Sequence, residues 1–275
     1  MKEMGADLPL IDPDVFPSWI LVEDRDLLVT NKPGWVVCHP SKRGPWSSLV
    51  GAAREYTALD RIHLVSRLDR ETSGVVVLAK TRPAARACQS AFQNRLVTKK
   101  YLAVLEGSLT EPIVVDRPIA RDGGSAVYVK QTVRRSRTSK RAVTTFDPLI
   151  ASEGYTLALI TPETGRKHQI RVHARWIDHA VAGDKIYGPD EAIYLEFIES
   201  GWTDRMALLL PHPRQLLHAL QVDFHSPDCN HSFIAPVVDD MVHFCAETMG
   251  VSRRDLDSMV RTRLAPGSPR RHPSK

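Results

Sequence analysis

The feature that most constrains this chain is a charged loop placed directly before a run of apolar residues. The loop RLDRETSG ends at Gly74 and is followed by VVVLA, residues 75–79. A β-branched run of this length predicts a strand that is covered on both faces. A polar loop beside a rigid sheet is a common position for binding and catalytic residues. On the pattern alone, the loop also fits a surface segment held by salt bridges.

The rest of the sequence alternates predicted strands and helices. Residues 36–37 are predicted to be extended, strands are predicted at 19–22, 27–30, 75–79, 100–107, 155–160 and 216–224, and helices at 81–96, at 240–249 and from 252 onward. The segment RKHQIRVHARWI, residues 166–177, fits either a strand or a helix. Its apolar residues alternate, as in a strand, and also recur at helical spacing. This order of elements indicates an α+β fold with a mixed, largely antiparallel sheet and flanking helices.

Composition narrows the class of protein. The chain has 275 residues, 43% of them hydrophobic, and no apolar stretch is long enough to span a membrane. The N-terminus lacks the apolar region of a signal peptide, so we expect a cytoplasmic protein with free thiols. A zinc site built from Cys229, His231 and Cys245 does not have the usual ligand spacing, and no metal is predicted.

The positive charge is concentrated in two segments. Residues 251–275 contain seven bases and two acids, which accounts for the whole net charge of +5 and leaves residues 1–250 neutral. Residues 130–141 contain six bases and no acid. The segment is either a solvated loop or part of a nucleic-acid surface. For the second case the candidate contacts are Arg134, Arg135, Arg137 and Lys140.

A series of motifs in one order identifies a family resemblance. The RluA-like RNA pseudouridine synthases have the central motif His-Arg-Leu-Asp-x-x-Thr-Ser-Gly followed by an apolar strand ending in Ala-Lys. Residues 66–80 resemble this motif, with Ser66 in place of its histidine. Further blocks that resemble the family lie, in order, at residues 31–40, 99–107, 164–173, 182–188, 217–219 and 235–241. The resemblance spans residues 19–245 and implies the pseudouridine synthase fold, with a helix after the turn at residues 161–165.

The resemblance also implies an activity and a set of site residues. The reaction converts uridine to pseudouridine within structured RNA, either ribosomal or transfer RNA, and needs no cofactor. Asp69 matches the catalytic aspartate, and Arg67 matches the arginine associated with filling the space of the flipped base. Tyr101 matches the tyrosine that lies against the uracil, and Arg171 matches the cationic partner of the aspartate. The rival acids are Glu71, Asp60 and Asp184, of which the last is expected to order its turn.

The expected organisation is an arm, one catalytic domain and a basic C-terminus. We expect residues 1–18 to be a poorly fixed arm, residues 19–250 the catalytic domain, 251–265 a helix and 266–275 a disordered tail. No small S4-type RNA-binding domain is expected before the core. We expect a monomer without a membrane or an obligate protein partner, and activity despite Ser66. His168 and His173 are expected to be structural or to contact RNA.

The same residues are compatible with two other functions. The scaffold could serve a non-catalytic RNA-binding protein or RNA chaperone, although the complete set of Asp69, Tyr101 and Arg171 favours an enzyme. A glycoside-type hydrolase with Asp69 and Glu71 as its acid pair fits poorly. Two residues this close in a loop are not placed to straddle a glycosidic bond.

Overall fold

The computed structural model describes residues 10–39 and 43–264. Within these ranges the chain forms twelve strands and seven α-helices. The strands are β1 (Ile20–Glu23), β2 (Leu27–Lys32), β3 (His63–Leu64), β4 (Ser73–Ala79), β5 (Val97–Glu106), β6 (Ile113–Asp116), β7 (Ile119–Arg121), β8 (Gln131–Val133), β9 (Val143–Ser152), β10 (Tyr155–Pro162), β11 (Leu217–Ser226) and β12 (Cys229–Ile234). The helices are α1 (Leu49–Thr57), α2 (Arg82–Gln93), α3 (Gln169–Trp176), α4 (Ala192–Ser200), α5 (Asp204–Leu209), α6 (Asp239–Met249) and α7 (Arg253–Leu264).

Ten strands form one sheet in the order β1-β2-β4-β11-β5-β10-β9-β6, with β12 beside β11 and β3 beside β4. Within the described ranges its strands pair antiparallel except β4 and β11, which run parallel through His218 and Ala219. The separate pair β7–β8 forms a small hairpin sheet. The predicted mixed, largely antiparallel α+β fold is therefore confirmed.

Both faces of the central strands are covered, as the apolar run after Gly74 predicted. On β4, Val76 and Leu78 pack in the cluster that includes α1, whereas Val75 and Val77 pack on the opposite side with α2. The two-residue period of a strand explains this division. On β5 the same alternation places Leu102 and Val104 under α6 and α7. Ala103 and Leu105 point to the opposite face and pack under α3.

The ambiguous segment at residues 166–177 forms the helix α3, as the resemblance implied. Periodicity could not identify it, because Gln169 to Ala174 are all buried, so the polar side chains of the first turns do not mark a solvent-facing side. The carboxamide of Gln169 fixes the preceding turn. Its oxygen accepts hydrogen bonds from the Thr164 hydroxyl at 2.7 Å and from the Arg166 backbone at 3.0 Å.

Val36 and Val37, which were predicted to be extended, are not part of a strand. Both residues lie in an irregular segment whose carbonyl groups have other partners. The Val37 carbonyl accepts from the backbone N–H of Leu49 at 2.9 Å, at the start of α1. The Val36 carbonyl accepts from the buried ammonium of Lys32, also at 2.9 Å. These bonds replace the ladder that a strand would need.

The expected N-terminal arm is packed where the structure describes it, so the expectation of a poorly fixed arm is wrong for residues 10–18. Phe16 is fully buried, and its ring packs against Trp46 and Tyr56. The Ile11 backbone N–H donates to the Trp46 carbonyl at 2.7 Å. Apolar burial therefore holds this segment against α1. The predicted tail at 266–275 lies outside the described residues.

The two C-terminal helices begin and end close to their predicted positions. Gly250 ends α6 in the left-handed conformation, at φ +68°. The hydroxyl of Ser252 accepts from the backbone N–H of Asp255 at 3.2 Å and caps α7. None of the helices within residues 10–39 and 43–264 has both the length and the apolar character needed to cross a membrane.

Replacing Gly74 by alanine tests the close approach between the polar loop and β11. A Cβ at Gly74 would lie 2.2 Å from the Ala219 carbonyl oxygen, and the residue has φ +111°. Gly154 is a matched control, with φ +78° and open space around its Cβ position. The unfavourable φ costs both variants about 1–2 kcal/mol, and the overlap costs Gly74→Ala a further ~1–3 kcal/mol.

Urea denaturation measures the difference between the two variants. We expect the free energy of unfolding to fall more in Gly74→Ala than in Gly154→Ala. Equal losses in the two proteins would contradict the packing argument.

Candidate active site

A pocket opens where the loop before β4 faces β5 and the start of α3. Its walls include Asp69 and Thr72 from the loop, Tyr101 from β5, and His168 and Arg171 from the turn and helix opposite. Tyr101 lies on the face of β5 that packs under α3, because it is two residues from Ala103. The fold therefore brings together residues more than a hundred positions apart in sequence.

Asp69 presents its carboxylate to this pocket. Its side chain is 30% exposed, and Oδ2 accepts a hydrogen bond from Nη1 of Arg171 at 2.9 Å. Burial opposes ionisation, but the nearby His168, Arg171 and Arg67 outweigh it, so the pKa of Asp69 is lowered from its usual value. The carboxylate is therefore ionised at neutral pH.

Arg171 is held mainly by Asp184. Its Nε and Nη2 donate to the two carboxylate oxygens of Asp184 at 2.6 and 2.7 Å, which leaves Nη1 to donate to Asp69. Burial opposes the charged form of Arg171, but Asp184 and Asp69 outweigh it and raise its pKa. A bidentate pair of this kind fixes the plane of the guanidinium. The donor that faces Asp69 is therefore aimed by a second carboxylate.

Asp184 orders its own turn, as the sequence predicted, and accepts from the backbone N–H groups of Ile186 and Tyr187 at 2.9 and 3.0 Å. Its pairing with Arg171 was not predicted. The block at residues 182–188 identified the turn, but sequence reasoning gave no sign of which side chain the buried carboxylate would meet.

His168 forms another wall of the pocket. Its Nε2 lies 3.8 Å from Oδ2 of Asp69, and its Nδ1 shares a 2.8 Å hydrogen bond with the Tyr187 hydroxyl. Burial, followed by the charge of Arg171, lowers the pKa of His168 to about 4. The imidazole is therefore neutral at pH 7, so at this pH the charges of Arg171 and Arg67, and not His168, favour the ionised form of Asp69.

His173 has no part in the pocket. Its Nδ1 shares a 2.9 Å hydrogen bond with the Thr144 hydroxyl, and its Nε2 lies 3.0 Å from the Arg117 carbonyl. The ring is fully buried between these partners. His173 is therefore structural, in agreement with one of the two roles expected for it.

The backbone of the loop is fixed from outside the pocket. Lys185 donates to Glu71 at 3.0 Å, and its ammonium lies over the rings of Trp35 and Phe197 at 4.9 and 4.6 Å. The fully buried Arg214 donates to the Glu71 carbonyl at 3.1 Å. These contacts hold the residues after Asp69 while leaving its carboxylate open to the pocket.

The same contacts remove the rival acids from the pocket. Glu71 is paired with Lys185, and Asp184 is fully buried against Arg171. Asp60 is exposed on another loop and does not line the pocket. Asp69 is the carboxylate that the described residues present to this space.

Arg67, Lys99 and Arg166 also line the pocket. Arg67 is exposed and, among the described residues, has no carboxylate within ion-pair distance. Lys99 likewise has no carboxylate partner in the described part of the chain, and burial lowers its pKa. Cations of this kind suit a polyanionic ligand such as a nucleic acid.

Tyr101 offers the pocket an aromatic surface. Burial, and then the charge of Asp69, raise the pKa of its phenol, which therefore remains neutral. A planar ring beside a carboxylate and a guanidinium suits a heterocyclic base.

The four basic residues chosen as RNA contacts lie outside this pocket, on the loop that follows β8. Arg134, Arg135, Arg137 and Lys140 are exposed. In the described ranges none of them forms an ion pair, whereas Lys130 is bound to Glu191 at 2.6 Å. The structure therefore leaves these four charges available to an external ligand.

The cysteines are placed for packing. Cys229 lies with its sulfur 3.3 Å from that of Cys88 between α2 and β12, whereas Cys245 is buried in the separate cluster under α6. Cys229 and Cys245 are therefore too far apart in the fold to bind one zinc ion together. The described residues contain no group of three or more His, Cys, Asp or Glu side chains arranged to hold a metal ion.

Comparisons with known proteins agree with this geometry. Residues 26–176 match the family model of RNA pseudouridylate synthases. The chain is 37% identical over 246 residues to ribosomal large subunit pseudouridine synthase D of Vibrio vulnificus, covering 87% of this chain and 72% of that one. The protein of the same name from Escherichia coli is 32% identical over 256 residues, covering 90% and 74%.

Two solved structures have the same fold. Human RNA pseudouridylate synthase domain containing 1 superposes with a TM-score of 0.66 at 25% identity, over 90% of this chain and 95% of that one. Human RNA pseudouridylate synthase domain containing 4 gives 0.67 at 28% identity, over 86% and 95%. The fold and the sequence matches define an RNA-modifying isomerase. The chain belongs to the RNA pseudouridylate synthase family.

Proposed function

We propose that this pseudouridine synthase acts on uridine in structured RNA through Asp69, with large-subunit ribosomal RNA as its substrate. The observation that supports the catalytic assignment is the 2.9 Å bond from Arg171 to a pocket carboxylate that is ionised and still 30% exposed. The rival acids at positions 60, 71 and 184 are all outside the pocket or paired. The name of the bacterial relatives supports the choice of RNA.

The reaction requires five events in the pocket. The bond between N1 of the uracil and C1′ of the ribose breaks, the base turns, C5 bonds to C1′, the proton on C5 leaves to solvent, and N1 takes up a proton. One proton is lost and one is gained, so the sum is an isomerisation and needs no second substrate. Asp69 is the carboxylate that acts at the nucleotide, and Arg171 compensates its charge throughout.

The other pocket residues hold the substrate. Arg67 takes the space that the flipped uridine leaves in the RNA, where its guanidinium plane offsets part of the lost stacking. The neutral ring of Tyr101 lies against the uracil and supports it without fixing one orientation while it turns. Lys99 and Arg166 face the phosphates on either side of the pocket.

We also propose that the protein acts as a monomer in the cytoplasm and needs no cofactor. One chain supplies the carboxylate, the guanidinium and the aromatic ring of the pocket.

Replacing Asp69 by asparagine tests the catalytic assignment and the substrate together. Asparagine keeps the shape and can still accept from Arg171, but it has no charge, so we expect activity to fall by at least about 10³-fold with folding retained. Asp60→Asn is the matched control, because it removes an exposed acid outside the pocket. The measurement is pseudouridine mapping of total RNA from a strain that lacks the gene and is complemented with each variant.

Wild type and Asp60→Asn should restore a modified uridine in large-subunit ribosomal RNA, and Asp69→Asn should not. Restoration by all three proteins would refute the role of Asp69. A site restored in transfer RNA instead would refute the choice of substrate. Tritium release from C5-labelled uridine in vitro distinguishes an enzyme from a non-catalytic RNA-binding protein.

We also propose that the exposed bases of the loop after β8 bind the RNA backbone. Replacing Arg134, Arg135 and Arg137 by glutamine should weaken RNA binding and make its salt dependence less steep. Each lost phosphate contact lowers the slope of log K against log salt by about 0.7–0.9. The control with the same charge change replaces Arg82, Arg86 and Arg95, which are exposed in or just after α2. Equal slopes for the two triple variants would contradict the role of the loop.

A further inference from the structure

One aromatic side chain stands out on the hairpin beside the pocket. Tyr128 is 73% exposed, which makes it the most exposed aromatic residue in the described part of the chain. The guanidinium of Arg121 lies over its ring, 4.0 Å from the centroid. Arg121 covers part of the ring and leaves the remainder to solvent. The tyrosine contributes nothing to the core clusters, whereas its neighbour Val127 is buried in one of them.

The loop that carries Tyr128 is held in one shape by polar contacts. Glu191 accepts from the hydroxyl of Ser125 and from the ammonium of Lys130, both at 2.6 Å. The Val127 backbone N–H donates to Ser125 at 3.0 Å, and its carbonyl accepts from the Lys130 backbone at 2.9 Å. The exposed ring is therefore pre-organised, which reduces the entropy that a ligand must offset on binding.

The same loop is connected to the wall of the pocket. The Gln131 backbone N–H donates to the Tyr187 hydroxyl at 2.9 Å, and this hydroxyl is bound to His168, whose other ring nitrogen faces Asp69. Tyr128 is three residues from Gln131, a separation of at most about 11 Å along the chain. A nucleotide close to the one in the pocket is therefore within reach of Tyr128.

The chemistry of this hairpin and of the loop that follows it fits RNA. The exposed cations of the loop after β8 lie at the other end of β8 from the ring and have no ion pair within the described ranges. An aromatic face combined with unpaired cations is the usual arrangement for binding single-stranded nucleic acid, where bases stack and phosphates are neutralised. An acidic peptide would use the cations but has no need of the ring.

We propose that Tyr128, with Arg121 against it, is a stacking platform for an unpaired base of the substrate RNA near the target uridine. The inference rests on the proposed function and adds a contact outside the catalytic pocket. The platform binds a base by its face, so it selects for an unstacked nucleotide rather than for a particular sequence.

Substitutions at position 128 test the platform. Tyr128→Ala and Tyr128→Leu should each weaken RNA affinity about tenfold, since one base stacked on an aromatic ring is worth about 1–3 kcal/mol. Tyr128→Phe and Tyr128→Trp should bind like the wild type, because both keep a π face. Leucine retains the apolar bulk and therefore separates stacking from general burial. Leu208→Ala, which removes an 88% exposed apolar side chain on α5, is the control.

Affinity is measured with an in-vitro transcript of large-subunit ribosomal RNA, with each substitution made in the Asp69→Asn protein so that turnover does not interfere. In the active protein, Tyr128→Ala should raise KM by a similar factor with kcat unchanged. Equal affinities for the alanine, leucine and phenylalanine variants, with or without a change in thermal stability, would overturn the platform. If Asp69 proved not to be the catalytic residue, the differences in affinity among the variants at position 128 would not change.

Discussion

The site depends on one guanidinium shared between two carboxylates. Arg171 gives two of its donors to Asp184, which is fully buried, and a third to Asp69, which is open to the pocket. A buried arginine with no partner would be strongly unfavourable. The position of α3 therefore depends on the ion pair between Arg171 and Asp184. The bidentate pair then aims the third donor at Asp69. A structural ion pair therefore determines the charge state of the residue to which we assign the chemistry.

A second set of buried charges determines where the Asp69 loop lies. Glu71 is held by Lys185, and its carbonyl is held by Arg214, which is itself bound to both carboxylate oxygens of Asp240 at 2.5 and 2.6 Å. The consecutive residues Asp184 and Lys185 thus reach the two sides of the pocket, one through Arg171 and the other through Glu71. A short turn after α3 fixes the helix and the loop relative to each other. This explains why a charged segment such as RLDRETSG lies beside a buried strand.

Much of the fold was predictable from local patterns. The apolar run at 75–79 indicated a strand covered on both faces, and capping residues located the start of α2, the end of α6 and the start of α7. α3 required the family resemblance, because most of its polar side chains are buried together with its apolar ones and do not mark a solvent-exposed stripe. Val36 and Val37 form no strand because their carbonyl groups bind α1 and Lys32, which are contacts that no local pattern encodes.

The site was predictable only in part, because some of its contacts join residues that are far apart in sequence. The motifs indicated Asp69, Tyr101 and Arg171, and the structure places all three in one pocket. The partnership of Arg171 with Asp184 and the neutral state of His168 depend on burial and on distances across the fold. A linear sequence contains the residue types, but the pKa of each group is determined by neighbours that only folding brings together.

A structure of the enzyme bound to RNA that contains 5-fluorouridine at the modified position would test the central claim most directly. The account predicts that the base is out of the helical stack, with its ring against Tyr101. It also predicts that the Asp69 carboxylate lies within bonding distance of the nucleotide while still bound to Arg171. A base that remains stacked, or an Asp69 side chain turned away from the nucleotide, would contradict it.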